Sequence, residues 1–502
     1  MASRKRARAT SFKPTTSQNQ IERLPAPLQH SVVSYLDFAT WSLLAVVVSK
    51  GTSELMASFF ERLQELSVVE FDLRNLMSVC EIVALLRSWR KHTKQLKQFV
   101  VAQQIQPSSV FLSTQFRNWI SQMIVANSRT LRLVQTAGVF VTGEISSALM
   151  QCSELRSVFP FPVLLNDEQF QMLAERCPKI CELRLPYSAI AESSRLLRLP
   201  LQLHSVTLGQ AQPAQVRLLP PSLTELKCTL ISPETAVALS AVFPKLPALE
   251  SLSLDVYHNN FITPAAPDNA TWSYTWDLPS LTSLELTFSF ASLSNRVQLK
   301  APKLQRLRTW CCTLLDVTRW TQNMPELVSL VVDCTPMLEE RDMREAGMLK
   351  LIEQLLAARL PALTQLHTGS QLSFPPSILA ALATASALTD LKLSLSPSAT
   401  PAQIANLLRN LPALKDVNLS AGFSDTAQER SPSDKTNNQP PVRLAHLERL
   451  SLQIANDELF GAFEFPRLFT LTLAERHIRV RAFESALARM PQLQSLTLQN
   501  CA

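Results

Sequence analysis

The 502-residue sequence predicts an α/β coil of stacked repeats, each contributing one short parallel strand and a return crossing, with a small helical segment ahead of the array. Three observations predict it. The phrase P-x-L-x-x-L-x-L or a close variant recurs through the last two thirds of the chain: PKICELRL (178–185), PSLTELKC (221–228), PALESLSL (247–254), PSLTSLEL (279–286), PKLQRLRT (302–309), PELVSLVV (325–332), PALTQLHT (361–368), PALKDVNL (412–419), PRLFTLTL (466–473) and PQLQSLTL (491–498). Proline-free copies LHSVTL (203–208), LTDLKL (388–393) and LERLSL (447–452) fill the gaps, so successive phrases lie 20 to 36 residues apart. Finally, several of the intervening stretches carry helix-start signals followed by apolar residues at three- and four-residue steps.

From the N-terminus, residues 1–20 form a basic tail predicted to be disordered. Arg4, Lys5, Arg6, Arg8 and Lys13 supply five of the formal net charge of +7, and the rest of the chain is close to neutral. A folded body binding nucleic acid through counterion release needs a basic face, so nucleic acid is disfavoured as a partner. Residues 21–60 form a helical module. Leu24, Leu28, Val32, Tyr35 and Leu36 fall on one face at helical steps, and a second apolar helix runs from Trp41 through Val48 to Leu55. Such a unit is too small for its own core. It must bury its apolar face against the first repeat, as a cap, or against a separate protein.

The repeat domain occupies 61–502, with clear copies over 178–502 and degenerate ones over 61–177, where LQELSV (63–68), LKQFVV (96–101), LRLV (131–134) and LRSV (155–158) resemble the phrase. Within each copy, apolar and polar residues alternate, so one side of a strand enters the core and the other faces solvent. SPETAVALSAVF (232–243), FPPSILAALATAS (374–386) and SPSATPAQIANLLRN (396–410) are predicted helices in the crossings, ended before the next strand by the phrase proline. Two inserts break the period. Residues 257–276 carry Tyr257, Phe261, Trp272, Tyr274 and Trp276, either as a partner-binding lid or as filling for a gap in the coil. The polar, proline-bearing insert 422–442 is predicted to be disordered.

The phrase and its period resemble the leucine-rich-repeat family, in its helix-backed, ribonuclease-inhibitor-like form. That likeness implies an irregular horseshoe solenoid whose polar strand positions line the inner surface. Only Cys312 and Cys501 fill the cysteine or asparagine position that the family places beyond the last strand leucine. The segment before the array resembles an F-box, through Leu24-Pro25, Leu28, Val32, Tyr35-Leu36 and Val48-Ser49, although Trp41 stands where leucine is usual. The resemblance implies a substrate-recognition subunit of an SCF-type cullin-RING ubiquitin ligase. Leu24, Pro25, Leu28, Val32, Tyr35, Leu36 and Leu43 would dock on the adaptor, and the repeats would hold an unidentified protein substrate. The alternative is a leucine-rich-repeat scaffold or inhibitor that binds a partner without recruiting a ligase.

Among the polar strand positions, Arg306, Arg308 and Trp310 stand out as candidate partner-binding residues, because arginine and tryptophan are enriched at interface hot spots and these three alternate along one strand. A cation stacked on an indole without a ligand is the other reading. Trp272, Tyr274 and Trp276 join them as candidates. The chain has only 8 glycines and neither GxGxxG nor GxxxxGK[ST], which excludes those nucleotide folds. It has no HExxH or GxSxG, and no catalytic, cofactor or metal residue is expected. The nine cysteines show no CxxC, which points to a reducing compartment, cytoplasmic or nuclear. No apolar run is long enough to cross a bilayer.

Overall fold

A computed structural model of the protein describes residues 65–69, 95–102, 114–135, 143–159, 167–185, 202–230, 232–256, 274–288, 297–310, 312, 314–333, 362–369, 373–374, 376–395, 399–421, 442–452, 463–474, 484 and 487–499. The chain divides into two compact units, Met1–Leu203 and His204–Ala502.

In the first unit the strands are β1 (Glu65–Val69), β2 (Gln98–Ala102), β3 (Leu133–Gln135), β4 (Ser157–Phe159) and β5 (Glu182–Leu185). Each pairs in parallel with the next. The four degenerate phrases thus form strands despite their missing prolines. Helices α1 (Thr114–Ala126), α2 (Gly143–Leu149) and α3 (Asp167–Arg176) lie in the crossings, with α1 and α2 packed together. Phe99 and Trp119 meet edge to face at 5.7 Å beneath β2.

The second unit continues the pattern with β6 (Ser205–Ala211), β7 (Glu225–Leu230), β8 (Ser251–Val256), β9 (Tyr274–Asp277), β10 (Ser283–Phe288), β11 (Val297–Lys300), β12 (Arg306–Trp310), β13 (Ser329–Asp333) and β14 (Gln365–Thr368). Then follow β15 (Ser373–Phe374), β16 (Asp390–Leu395), β17 (Asp416–Ala421), β18 (Val442–Arg443), β19 (Arg449–Leu452), β20 (Phe463–Glu464), β21 (Thr470–Ala474) and β22 (Ser495–Gln499). The main ladder runs β6-β7-β8-β10-β12-β13-β14-β16-β17-β19-β21-β22, all parallel. β15 pairs with the end of β16. Among the described residues the ladder does not close on itself, so the unit is an open coil of leucine-rich-repeat type.

The register explains the leucines. Leu226, Leu252, Leu284, Leu307, Leu330, Leu366, Leu391, Val417, Leu450 and Leu471 stand opposite one another in successive strands and are buried. A second column of buried residues lies two positions further on, and Cys228, Thr309 and Thr368 take the place of leucine there. Both columns follow from the two-residue period: one face of every strand joins a shared apolar spine, and no repeat could bury its share alone.

The phrase proline has a positive role beyond ending helices. In Leu246–Leu249, Leu278–Leu281, Ala301–Leu304, Met324–Leu327, Leu411–Leu414 and Phe465–Leu468 the fourth N–H donates to the first carbonyl, and proline occupies the second position. Its fixed φ suits that place in a tight turn. The next residues then share one acceptor: Glu250 and Ser251 both donate to the Thr224 carbonyl, Thr282 and Ser283 to Glu250, Gln305 and Arg306 to Thr282, and Val328 and Ser329 to Gln305. The same forked bond recurs as far as Gln494 and Ser495 on Phe469. The backbone therefore supplies a ladder that the cysteine/asparagine position does not. Cys312 is buried and donates to Thr309 Oγ1 at 3.1 Å, and Cys501 lies outside the described residues.

The predicted helices appear as α5 (Pro233–Val242), α7 (Pro376–Leu382) and α8 (Pro401–Asn410), along with α4 (Pro213–Val216) and α6 (Leu314–Thr321). Ser232 caps α5, and Thr400 caps α8 with a capping box closed by Gln403. Two short outer sheets, β9–β11 and β18–β20, were not anticipated from sequence. β9 and β11 alternate buried and exposed residues, so Tyr274, Trp276, Val297 and Leu299 face the core. The Val297 carbonyl accepts from Trp320 Nε1 (2.8 Å) and Arg319 Nη2 (2.9 Å), which ties this outer layer to α6.

Candidate partner-binding face

The alternation that buries the leucines turns the intervening side chains of every main-ladder strand to the opposite face. In register, one row of that face reads Glu225, Ser251, Ser283, Arg306, Ser329, Gln365, Asp390, Asp416 and Arg449. The next reads Lys227, Ser253, Glu285, Arg308, Val331, His367, Lys392, Asn418 and Ser451. These are the positions the sequence assigned to solvent.

Arg306, Arg308 and Trp310 come together on β12 as expected from their spacing. Both arginines are exposed and Trp310 is half-buried. Arg308 lies over the indole, with Cζ 4.2 Å from the ring centroid. That contact holds the guanidinium in place while leaving its N–H groups facing water.

Charges elsewhere on the face are arranged differently. Arg449 Nε donates to Asp416 Oδ2 at 2.8 Å, and His367 Nε2 lies 2.8 Å from Asp390 Oδ1. In the first unit Arg184 Nε donates to Glu182 Oε1 at 2.6 Å, and Lys179 Nζ to both oxygens of Glu154. Lys179 holds the Glu154 carboxyl below its ordinary range through that hydrogen bond.

The other candidates divide. Tyr274 and Trp276 are 7% and 1% exposed, and Trp276 packs edge to face on Phe243 at 5.9 Å. These two rings therefore fill the coil, because their alternation places them on the inner side of β9, and they offer no surface to a partner. Trp272, and all of Leu24, Pro25, Leu28, Val32, Tyr35, Leu36 and Leu43, lie outside the described residues.

Sequence reasoning missed a polar column in the first unit. Asn127 lies six residues before β3, Cys152 and Cys177 lie five residues before β4 and β5, and all three are buried. Asn127 Oδ1 accepts from Leu96 N (3.0 Å) while its Nδ2 donates to Met123 O (2.9 Å). Cys152 Sγ donates to Ala148 O and Cys177 Sγ to Leu149 O, at 3.6 and 3.3 Å. These side chains satisfy carbonyls at helix ends. Burial pushes the Cys152 thiol up to about 12 and the Cys177 thiol to about 11. The signal was the offset that Cys152 and Cys177 share, three residues before Leu155 and Ile180, from which Asn127 departs by one residue at Leu131.

Among the described residues no group of three or more His, Cys, Asp or Glu side chains could hold a metal ion, and no helix is long and apolar enough to cross a membrane.

No protein-family model matches the chain, and neither does any curated protein. Solved structures similar to it include the leucine-rich repeat-containing protein LegL7 from Legionella pneumophila, at 14% identity and TM-score 0.29, covering 73% of this chain and 95% of that one. TLR13 in a TLR13–ssRNA13 complex matches at 17% identity and TM-score 0.36, with 80% of this chain and 57% of that chain covered. The Rad7 and Elc1 complex in yeast matches at 14% identity and TM-score 0.36, covering 94% and 92%. Likeness at this level is too slight to carry the function of any of the three to this chain.

Proposed function

We propose that the protein is a leucine-rich-repeat scaffold or inhibitor that holds a partner protein on the polar strand face of the His204–Ala502 unit. The observation that carries this reading is the pair of exposed guanidiniums on β12 beside a half-buried indole. A face that needed only solvation would place neither a tryptophan nor adjacent arginines there, whereas both residue types concentrate binding energy at interfaces. The reading is tested by placing a photo-crosslinking amino acid at Ser253 or Lys392 on the face, and at Val237 on the outer side of α5, in the full chain in cells. Discrete crosslinked partners from the two strand positions, with none shared by Val237, are expected. Equal crosslinking from all three sites would overturn it.

A second reading rests on the F-box-like residues Leu24-Pro25, Leu28, Val32, Tyr35-Leu36 and Leu43. In it the chain is the substrate receptor of an SCF-type ubiquitin ligase, laying an apolar helical face into an adaptor groove while the repeats hold the substrate. Purifying the chain from cells decides between the two. Co-purification of adaptor and cullin, lost in Leu28→Ala and Leu36→Ala, supports the receptor. Their absence leaves the scaffold.

A further inference from the structure

We propose that β12 reads a carboxylate side chain next to an apolar one, in an acidic segment of the partner. The inference rests on the partner-binding reading above and names the chemistry of its central contact.

The argument is how the acids around β12 are placed. In register, Glu285 of β10 stands beside Arg308 on one side, and on the other side Asp333 of β13 stands beside Trp310. Either could neutralise the arginine from a neighbouring strand, about 5 Å away. Neither is used so. Ser253 Oγ donates to Glu285 Oε2 at 3.3 Å, drawing that carboxylate toward β8. The Asp333 carboxylate fills the space beside Gly369 that a Cβ there would occupy, at the end of β14. Both acids are thus drawn away from β12, and Arg308 stacks on the Trp310 ring instead. The contrast with Arg449, which donates to Asp416 across the adjacent strands of the same face, shows that neutralisation is available in this ladder.

The residues around the two cations define the ligand. Arg306 lies between Ser283 and Ser329, whose hydroxyls add hydrogen-bonding groups on either side. Arg308 lies beside Val331, an apolar residue in an otherwise polar row, diagonal to Trp310. Arg306 and Arg308, whose backbone positions lie about 7 Å apart along the strand on one face, supply cationic groups for an anion, and Val331 with the indole edge takes an aliphatic or aromatic neighbour. The proposed ligand is the carboxylate of Asp or Glu, and a phosphorylated side chain is the competing anion that the test below separates from it.

The test selects a phage-displayed random dodecapeptide library on the full chain. Enrichment of Asp or Glu adjacent to Leu, Ile, Phe or Tyr is expected. A synthetic peptide of the enriched sequence should bind roughly fivefold or more weakly to Arg306→Gln/Arg308→Gln and to Trp310→Ala. It should bind Arg449→Gln as it binds the wild type, and lose affinity as salt rises. Gly369→Ala, which expels the Asp333 carboxylate from its seat, should also weaken binding. Selected peptides without acidic residues, or equal losses in Arg449→Gln and the β12 variants, overturn the proposal, as does tighter binding when phosphoserine replaces the acid. Should those results come with crosslinked partners at Ser253 and Lys392, this inference fails while the partner-binding reading stands.

Discussion

Leu252 is 1% exposed and sits in register between Leu226 and Leu284, so its side chain contacts repeats on both sides. Leu252→Ala, or Leu284→Ala one strand on, should cost about 2–5 kcal/mol of unfolding free energy, measured by denaturant titration. Ser253, the next residue, faces solvent, and Ser253→Ala should stay within about 0.5 kcal/mol. Asn127 is buried with both ends of its amide engaged, so Asn127→Ala strands a backbone N–H and a carbonyl and should cost about 1–3 kcal/mol. The thiol column has a pH signature. Cys152 ionises at about 12 in the folded protein against a usual 9.0, so its favourable contribution is complete below pH 9 and is lost as pH rises from 9 toward 12. Cys152→Ala should therefore show a shallower alkaline loss of stability than the wild type over that window.

At the scale of the element, local chemistry and tertiary packing agree at α8. Thr400 Oγ1 accepts from Gln403 N at 3.3 Å, and Gln403 Oε1 accepts from Thr400 N at 2.9 Å. Leu407, Leu408 and Ile404 are buried on the inner side of the helix. Thr400→Ala should lower stability by about 1 kcal/mol, read as a shift in the denaturation midpoint with unchanged slope. The helix was legible because a cap, a proline and an apolar period coincide within ten residues. β9 and β11 were not. Each offers only four residues of alternation, and the aromatic content of Tyr274 and Trp276 reads equally as surface or core until the Phe243 ring and the α6 side chains are in place.

Across the His204–Ala502 unit, stability accumulates repeat by repeat through nearest-neighbour contacts. Interior strands such as β10 have a partner on each side, whereas β22 pairs only with β21 among the described residues. Its Leu496 and Leu498, which continue the two buried columns, are 41% and 49% exposed. Hydrogen exchange should accordingly be fast in β22 and slowest in β8, β10 and β12, with protection falling toward the end of the ladder. Equal protection of β22 and β10 would mean that the unit opens as a single cooperative block.

The repeated phrase by itself determined the parallel strands, their inward and outward faces and several of the crossing helices, since a two-residue alternation next to a turn proline admits few other structures. Even the imperfect copies at 63–68, 96–101, 131–134 and 155–158 became strands, because neighbouring repeats complete the burial that each lacks. Only the tertiary structure decided which aromatic residues are surface and which are core, and which cations are neutralised. Trp276 and Trp310 look alike in the sequence, yet one is sealed against Phe243 and the other supports an exposed guanidinium. Likewise Arg308 and Arg449 occupy corresponding outward faces, and the difference between a stacked cation and a paired one depends on where carboxylates of neighbouring strands, Glu285 and Asp333 in one case and Asp416 in the other, are turned. That is a property of cross-strand register and of side-chain seats such as the one beside Gly369, which no local pattern encodes.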